Sequence, residues 1–425
     1  MKVWINPARV TWKEILKRPV INYQDLNNTV RNILENVKLH GDSSLRKYAL
    51  DFDEVTLHDL KVTSSEIDEA EQLVPATLKN AIAIAIKNIW KFHESQIELS
   101  KEVETMPGVL CWRKPVPIEK VGLYIPGGSA PLFSTLIMLG IPAIIAGCKE
   151  IIVCTPAAKN GKVPAAILYT AKILGIQNIY KTGGAQAIGA MAYGTLSIPQ
   201  VYKIFGPGNQ YVTCAKQQIL SEGTAVDMPA GPSEVAVYAD DSCDPAFVAS
   251  DLLSQAEHGA DSHVLLVTTS EALAEKIKME IVLQLESLPR KSIAQQSITK
   301  SHCIILQDLS EAFELINAYA PEHFIIASDN ADELSTRVVN AGSVFLGHYS
   351  PESAGDYASG TNHTLPTNGY ARAYSGVSLD SFIKKITFQK ITREGFNSIA
   401  EAVMTMADAE GLIAHKRAVE VRLNK

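Results

Sequence analysis

The feature that most constrains the fold is a regular alternation of short apolar runs and helical patterns, which begins near Lys120. Parallel strands must be joined by crossover connections, which are usually helices, so this alternation predicts a parallel sheet covered by helices. The strand-like runs are Val121–Ile125, Glu150–Thr155, Asn178–Thr182 and Val201–Phe205, and the helical patterns are Phe133–Ala146, Val163–Leu174, Ala185–Tyr193 and Asn209–Leu220.

The same alternation repeats from Glu234 onward. The second set of strand-like runs is Glu234–Ala239, His263–Thr268, Ser301–Leu306, His323–Ala327 and Gly342–Leu346, and its helical patterns are Phe247–His258, Glu271–Leu288, Glu311–Tyr319 and Ala331–Val339. Before residue 105 the pattern is mostly helical, as in Asp25–Leu39 and Ser64–Ser100, and from Asp380 the tail reads as one strand-like piece and helices. The sequence therefore predicts two tandem α/β units with helical ends.

Composition excludes several classes of protein. The net charge is −7, from 39 basic against 46 acidic residues, and no basic run stands out, which argues against nucleic-acid binding. The apolar stretch Pro131–Gly147 is interrupted by Gly140 and Pro142, so a buried helix is favoured over a membrane span. The N-terminus lacks an apolar signal region, and the six cysteines form no Cys-x-x-Cys pair. We expect a cytoplasmic protein with reduced, structural cysteines, a catalytic thiol being the alternative.

Three glycine-containing turns follow strands of the first unit, at Tyr124–Ser129, Thr182–Gly189 and Phe205–Gln210. Glycine permits tight turns and close approach of a ligand, and helix N-termini favour phosphate. In open α/β sheets, ligands bind at the carboxyl ends of the strands. None of the turns has the G-x-G-x-x-G spacing of dinucleotide-binding motifs, so nucleotide binding and simple packing both stay open.

Reactive side chains are concentrated in the second unit and the tail. The candidates are Ser233, Gln255, His258, Glu322, His323, Asp356, His363, Glu410 and His415. Gln255, His258, Asp356 and His415 carry atoms suited to Zn²⁺ or Mn²⁺, which leaves the adjacent Glu322 and His323 for acid–base chemistry. Taken singly, each segment is also compatible with a solvated loop. Among the other histidines, we expect His40, His58 and His93 at the surface, and His263 and His302 in packing roles.

These candidates lie in long strings that resemble one family. The strings are Val-Gly-Leu-Tyr-Ile-Pro-Gly-Gly (121–128), Gly-Pro-Gly-Asn (206–209), Asp-Met-Pro-Ala-Gly-Pro-Ser-Glu-Val (227–235), Asp-Leu-Leu-Ser-Gln-Ala-Glu-His-Gly (251–259), Ala-Pro-Glu-His (320–323) and Gly-Thr-Asn-His-Thr-Leu-Pro-Thr (360–367). With them the chain resembles the histidinol dehydrogenase family from about residue 20 to its end. The resemblance implies two tandem, incomplete Rossmann-like domains with parallel sheets, a helical N-terminal part and a helical C-terminal tail.

The resemblance also implies a role for each candidate residue. The implied catalytic pair is Glu322 and His323. The implied ligands of one zinc ion per subunit are Gln255, His258, Asp356 and His415. The implied NAD contacts are Tyr124, Gln186 and Asn209. The implied substrate contacts are Ser233, His363 and Glu410, together with His323 and the four zinc ligands.

For the organisation of the chain, the resemblance implies a homodimer in which a swapped tail, 379–425, brings Glu410 and His415 to the neighbouring site. The remaining expected parts are an N-terminal extension at 1–20, a larger α/β domain at 21–123 with 234–378, and an NAD-binding domain at 124–233.

The implied reaction is the oxidation of L-histidinol through L-histidinal to L-histidine with two NAD⁺, at the end of histidine biosynthesis. His323 is expected to act as the base, Glu322 to activate water, and zinc to position the substrate. Three alternatives are a zinc hydrolase, a non-catalytic ligand-binding protein and a dehydrogenase of another amino alcohol. Reduction of NAD⁺ separates the first of these from the dehydrogenases. No membrane or nucleic-acid partner is expected.

Overall fold

The computed structural model describes residues 1–18, 23–127, 131–229 and 231–424, and Gly128 and Ser129 of the first predicted turn fall outside these ranges. The chain forms two compact units, a larger one of residues 1–96 and 118–382 and a smaller one of residues 97–117 and 383–425. Among the helices of the described ranges, none has both the length and the apolar character needed to cross a membrane.

The elements follow one another along the chain with these bounds. The strands are β1 (Lys2–Ile5), β2 (Val103–Met106), β3 (Val109–Pro117), β4 (Lys120–Tyr124), β5 (Glu150–Thr155), β6 (Asn178–Lys181), β7 (Lys203–Phe205), β8 (Ala225–Val226), β9 (Glu234–Ala239), β10 (His263–Thr268), β11 (His302–Ile305), β12 (His323–Ala327), β13 (Ser343–Leu346) and β14 (Ile383–Ile391). The helices are α1 (Trp12–Ile15), α2 (Tyr23–His40), α3 (Asp42–Asp53), α4 (Ser64–Leu73), α5 (Ala76–Glu94), α6 (Phe133–Ala146), α7 (Ala165–Ile173), α8 (Gly184–Tyr193), α9 (Gln210–Ser221), α10 (Pro245–Ala256), α11 (Glu271–Leu285), α12 (Lys291–Lys300), α13 (Leu309–Tyr319), α14 (Ala331–Ser335), α15 (Glu352–Tyr357), α16 (Arg393–Ala409) and α17 (Ile413–Leu423).

A five-stranded parallel sheet, in the order β6-β5-β4-β7-β8, forms one half of the larger unit. Side chains of the central strand β4 alternate between two apolar layers, as expected for a strand covered on both faces. Val121 and Leu123 pack in the layer that contains α6 and α7, and Tyr124 packs in the layer that contains α8 and α9. The carboxyl ends of β4, β6 and β7 therefore meet at one edge, where the predicted glycine turns begin.

A six-stranded parallel sheet, in the order β1-β11-β10-β9-β12-β13, forms the other half. Its central strand β9 is buried along its whole length, with Val235 and Val237 facing α10 and α11, and Ala236 and Tyr238 facing α13. The amino-terminal strand β1 pairs with β11 at the edge of this sheet, with Lys2 opposite His302. β1 was not predicted as a strand. It has only four residues, and no helical pattern precedes it to form the alternation of strands and helices used for the prediction.

The smaller unit contains a three-stranded antiparallel sheet, in the order β14-β3-β2, and the two helices α16 and α17. β14 and β3 pair over nine residues each, from Ile383 opposite Pro117 to Ile391 opposite Val109. Trp112 of β3 stacks on Phe388 of β14, with ring centroids 5.5 Å apart. The strand-like piece predicted at the start of the tail is thus β14, whereas β2 and β3 were not predicted.

The predicted α/β fold with two parallel sheets, a helical N-terminal part and a helical tail is confirmed. The continuous helical pattern Ser64–Ser100 is in fact two helices, α4 and α5, because Pro75 lacks a backbone N–H and disfavours a helical conformation of Val74, the residue before it. The expectation of a surface His93 was wrong. Its side chain is fully buried, with Nδ1 3.3 Å from Gln96 Oε1 and Nε2 3.2 Å from the Asn362 amide nitrogen.

Candidate active site

The predicted catalytic pair lies where two central strands of the six-stranded sheet begin. His323 is the first residue of β12 and Glu234 is the first residue of the neighbouring strand β9. Glu322 Oε2 accepts a hydrogen bond of 2.9 Å from the Glu234 backbone N–H, and His323 Nδ1 lies 3.3 Å from the Glu234 carbonyl oxygen. Both side chains are buried. The strand register therefore fixes the position of the pair.

Three carboxylates surround the His323 imidazole. Nδ1 lies 3.8 Å from Glu322 Oε2 and 3.9 Å from Glu352 Oε1, and Nε2 lies 3.6 Å from Asp356 Oδ1. Burial on its own lowers the pKa of His323, but the carboxylates of Glu352, Glu322 and Asp356 raise it, to about 10. Burial raises the pKa of Glu322 to about 8, and it also raises the pKa of Glu352. The site thus holds ionisable groups whose proton affinities are far from ordinary, as is common in active sites.

Helix α10 carries Gln255 and ends just before His258. The helix is capped by Asp244, whose Oδ1 accepts the Ala246 N–H at 2.8 Å, with a proline at the first helical position. Gln255 is fully buried, whereas His258 is exposed. With its amide nitrogen turned toward the carboxylate, Gln255 donates a hydrogen bond of 2.7 Å to Glu352 Oε1, and this nitrogen lies 3.2 Å from His323 Nδ1.

A group of side chains suited to a metal ion lies beside His323. Ligand atoms of His258, Glu352 and Asp356 lie within 4.8 Å of one another. Glu352 and Asp356 are four residues apart on α15 and so share a face of that helix. One imidazole nitrogen and two carboxylate oxygens fit a divalent cation such as Zn²⁺ or Mn²⁺. The sequence interpretation overlooked Glu352. Its position four residues before the predicted Asp356, which is helical spacing, was a usable signal.

Ser233 and His363 lie near the catalytic pair. Together with Glu322 and Asn209 they line a cavity of about 210 Å³. The His363 ring is held from both sides, since Nδ1 lies 2.9 Å from the Asp356 carbonyl oxygen and Nε2 lies 3.1 Å from Thr135 Oγ1. Two of the expected substrate contacts therefore border the same cavity as Glu322.

Tyr124, Gln186 and Asn209, the expected NAD contacts, lie at the carboxyl edge of the five-stranded sheet. Tyr124 ends β4, and its hydroxyl oxygen accepts the Gly184 N–H at 3.1 Å. Burial raises the pKa of Tyr124 to about 12. Gln186 is buried in the first turn of α8, and Asn209 caps α9 by accepting the N–H groups of Tyr211 and Val212 at 3.0 and 3.2 Å.

Glu410 and His415 belong to the smaller unit, where Glu410 caps the end of α16 and His415 lies in α17. Both are exposed. In the described part of this chain, the group of possible metal ligands is made of His258, Glu352 and Asp356, and His415 is not a member of it.

Comparison with known proteins identifies the family. The family model of histidinol dehydrogenase matches residues 16–423. The histidinol dehydrogenase of Bacteroides thetaiotaomicron is 59% identical over 424 residues, covering 100% of this chain and 99% of the relative. That of Escherichia coli strain K12 is 50% identical, covering 99% and 97%. A crystal structure of histidinol dehydrogenase from Elizabethkingia anophelis has a TM-score of 0.97 at 56% identity, covering 100% of this chain and 98% of that one. The chain belongs to the histidinol dehydrogenase family.

Proposed function

We propose that this protein oxidises L-histidinol through L-histidinal to L-histidine, using two NAD⁺ and one Zn²⁺ per subunit. Membership of an oxidoreductase family supports the reaction. The observation that carries the proposal is the buried Glu322–His323 pair next to the possible metal ligands His258, Glu352 and Asp356. An acid–base pair beside a cation site is what the removal of a hydride and a proton from a bound alcohol requires.

His323 acts as the base in this proposal. In the first step the alcohol loses its hydroxyl proton as its hydride passes to NAD⁺, and the imidazole takes that proton. The pKa of about 10 given by the surrounding carboxylates keeps His323 protonated at neutral pH. If a bound cation neutralised the charge of Asp356, this pKa would fall toward the range in which the imidazole accepts a proton.

Glu322 serves the second oxidation. Histidinal must add one water before a second hydride leaves, and a carboxylate can take a proton from that water. Glu322 is held by the Glu234 N–H and lines the cavity that also contains Ser233 and His363, the proposed substrate contacts. His323, next to it, takes part in this step as well.

Gln255, His258 and Asp356, joined by His415 of a second subunit, are the proposed metal ligands. The nitrogen and oxygen donors among them match the preferences of Zn²⁺. When bound, the cation supplies coordination for the imidazole and amine of the substrate and so fixes its orientation. Glu410 completes the proposed substrate contacts, alongside the ligands and His323.

NAD⁺ is proposed to bind along the carboxyl edge of the five-stranded sheet, at Tyr124, Gln186 and Asn209, within a domain formed by 124–233. Residues 21–123 with 234–378 form the proposed larger domain, after an extension at 1–20. The exposure of Glu410 and His415 supports a homodimer in which the tail, 379–425, completes the neighbouring site. We place the enzyme in the cytoplasm.

The test is NADH formation from L-histidinol, followed by absorbance, before and after metal removal with a chelator. Two NADH per histidinol, lost on chelation and restored by Zn²⁺, is the expected result. A metal-loaded protein that forms no NADH would contradict the proposal and point to metal-dependent hydrolysis, for which water activation at the same residues would suffice.

A further inference from the structure

A buried ion pair lies beneath the glycine turn that follows β7. Lys216 of α9 pairs with Asp227, which follows β8, and their side chains are only 5% and 1% exposed. Both partners also hold the backbone of the turn. Asp227 Oδ2 accepts the Gly206 N–H at 2.8 Å, and Lys216 Nζ donates to the Gly206 carbonyl oxygen at 3.0 Å. The N–H group of Gly206 is thus bound by Asp227, and its carbonyl oxygen is bound by Lys216.

Gly206 cannot be replaced at this point of the chain. Its φ is +133°, and a Cβ atom would lie 2.2 Å from the carbonyl oxygen of Tyr124. The turn is therefore pressed against the end of β4. Asp227 is itself fixed, because its Oδ1 accepts the Met228 N–H at 2.7 Å and its own N–H donates to the Ile204 carbonyl at 3.1 Å. The ion pair, the turn and Tyr124 form one rigid assembly.

This assembly borders the candidate active site. Lys216, Asp227, Gly206 and Asn209 line the same cavity of about 210 Å³ as Glu322. Lys216 and Asp227 are already bound to each other and to the turn. We therefore expect them to act by holding the turn, and Asn209 at its end, in place.

We propose that Lys216 and Asp227 are positioning residues for the nicotinamide dinucleotide, an inference that rests on the proposed function. The pair holds the 206–209 turn so that Asn209 and the N-terminus of α9 face the cofactor. The catalytic pair lies on another element, at the start of β12, and Ser233 is the one proposed substrate contact that shares the segment between β8 and β9 with Asp227. Disrupting the pair should therefore weaken NAD⁺ binding while the response to histidinol stays near that of the parent protein.

Loss of one partner also leaves the other as an unpaired buried charge, which destabilises a protein whatever its function. Two variants separate this effect from positioning. Asp227→Asn keeps a hydrogen-bond acceptor for the Gly206 N–H but loses the charge. Lys216→Met combined with Asp227→Leu removes both charges of the pair together and both hydrogen bonds to Gly206, so it is expected to fold and yet to bind NAD⁺ poorly.

Asp42→Asn is the matched control. Asp42 is another buried carboxylate of the larger unit that holds a loop, accepting the Ser197 N–H at 3.2 Å. That loop precedes β7, so it lies toward the opposite edge of the same sheet. The variant should lose stability without an effect on the cofactor.

The experiment measures the dissociation constant of NAD⁺ by titration calorimetry on the full-length, zinc-loaded protein, with the KM of histidinol and the melting temperature beside it. We expect the double variant to bind NAD⁺ about 10-fold or more weakly, Asp227→Asn to lie between it and the parent, and histidinol KM to change less than about threefold. A folded double variant with parental NAD⁺ affinity, or equal losses for NAD⁺ and histidinol, would overturn the positioning role. A parent protein that forms no NADH would instead overturn the proposed function.

Discussion

The two parallel sheets of the larger unit differ in where their candidate residues lie: at the carboxyl ends of the strands in one sheet, and at the amino ends in the other. We call this set of strand ends the edge of each sheet. In the five-stranded sheet, Tyr124 is the last residue of β4, and the turn that leads to Asn209 follows the carboxyl end of β7. In the six-stranded sheet, Ser233 and Glu322 come just before strands, and His323 is the first residue of one. Ligands of open α/β sheets usually lie at carboxyl ends, so only the first sheet follows the general rule.

The chemistry of the two edges differs as well. At the six-stranded sheet, three carboxylates enclose a buried imidazole, and the pKa values of Glu322 and His323 are raised to about 8 and about 10. At the five-stranded sheet the proposed cofactor contacts Tyr124, Gln186 and Asn209 are uncharged, and burial raises the pKa of Tyr124 to about 12, so its hydroxyl keeps its proton. The proposed function therefore assigns proton transfer and metal binding to the strand ends of the six-stranded sheet, and uncharged cofactor contacts to those of the five-stranded sheet.

The largest expected effect comes from removing the His323 imidazole. It lies among the three carboxylates at the strand ends of the six-stranded sheet, which we call the acidic edge. His323→Asn should lower kcat by about 10³-fold or more, because it removes the proposed base, while binding of histidinol should change much less. Steady-state NADH formation and calorimetric titration with histidinol measure the two effects. His348→Asn is the control, since His348 pairs with the exposed Asp329 outside the site. A His323 variant with parental turnover would contradict the proposal that proton transfer takes place at the six-stranded sheet.

The next effect tests whether the acidic edge is completed by a second subunit. His415→Asn should abolish zinc binding and activity without loss of folding, since His415 is exposed. Mixing it with His323→Asn should restore part of the activity. A mixed dimer then has one site with an intact His323 and an intact His415 from the neighbour. Activity that stays absent after subunit exchange would contradict a tail that acts on the partner.

Glu352 tests how the charge at this edge contributes to metal binding. Glu352→Gln removes one of the two carboxylates among the possible ligands at nearly constant volume, so zinc affinity should fall about 10- to 100-fold. Competition with a chromogenic chelator measures the affinity without relying on turnover. The control is Asp329→Asn, which removes an exposed carboxylate outside this group. Parental zinc affinity in the Glu352 variant would show that its charge is not needed.

Much of this arrangement could be predicted from the sequence, for a physical reason. Strands buried on both faces are continuous apolar runs, and so β5, β9, β10 and β12 have the predicted bounds. Edge and antiparallel strands such as β1 and β3 lack that signal, because only part of their surface is buried. The contacts of Glu352 with Gln255 and His323 are long-range and leave no local pattern, so its helical spacing from Asp356 was the one signal available in the sequence.

Glu322→Gln separates the two oxidations. It should slow oxidation of histidinal about 10- to 100-fold and oxidation of histidinol less, since only the aldehyde needs activated water. A carboxyl group whose pKa is raised to about 8 is mostly protonated below that pH, so the histidinal reaction of the parent should increase as pH rises through about 8. The variant should lose this increase. Equal rates with histidinal in variant and parent would rule out the role.

The smallest effect is expected at the neutral edge, from Tyr124→Phe. The change removes only the hydroxyl oxygen that accepts the Gly184 N–H, and one hydrogen bond corresponds to about a 2- to 10-fold rise in the KM of NAD⁺. With a pKa of about 12, this hydroxyl does not titrate between pH 6 and 10, so the pH profile of kcat should be unchanged. A shifted profile would mean that Tyr124 takes part in proton transfer. Chemistry would then extend to the five-stranded sheet, and the contrast between the two edges would no longer hold.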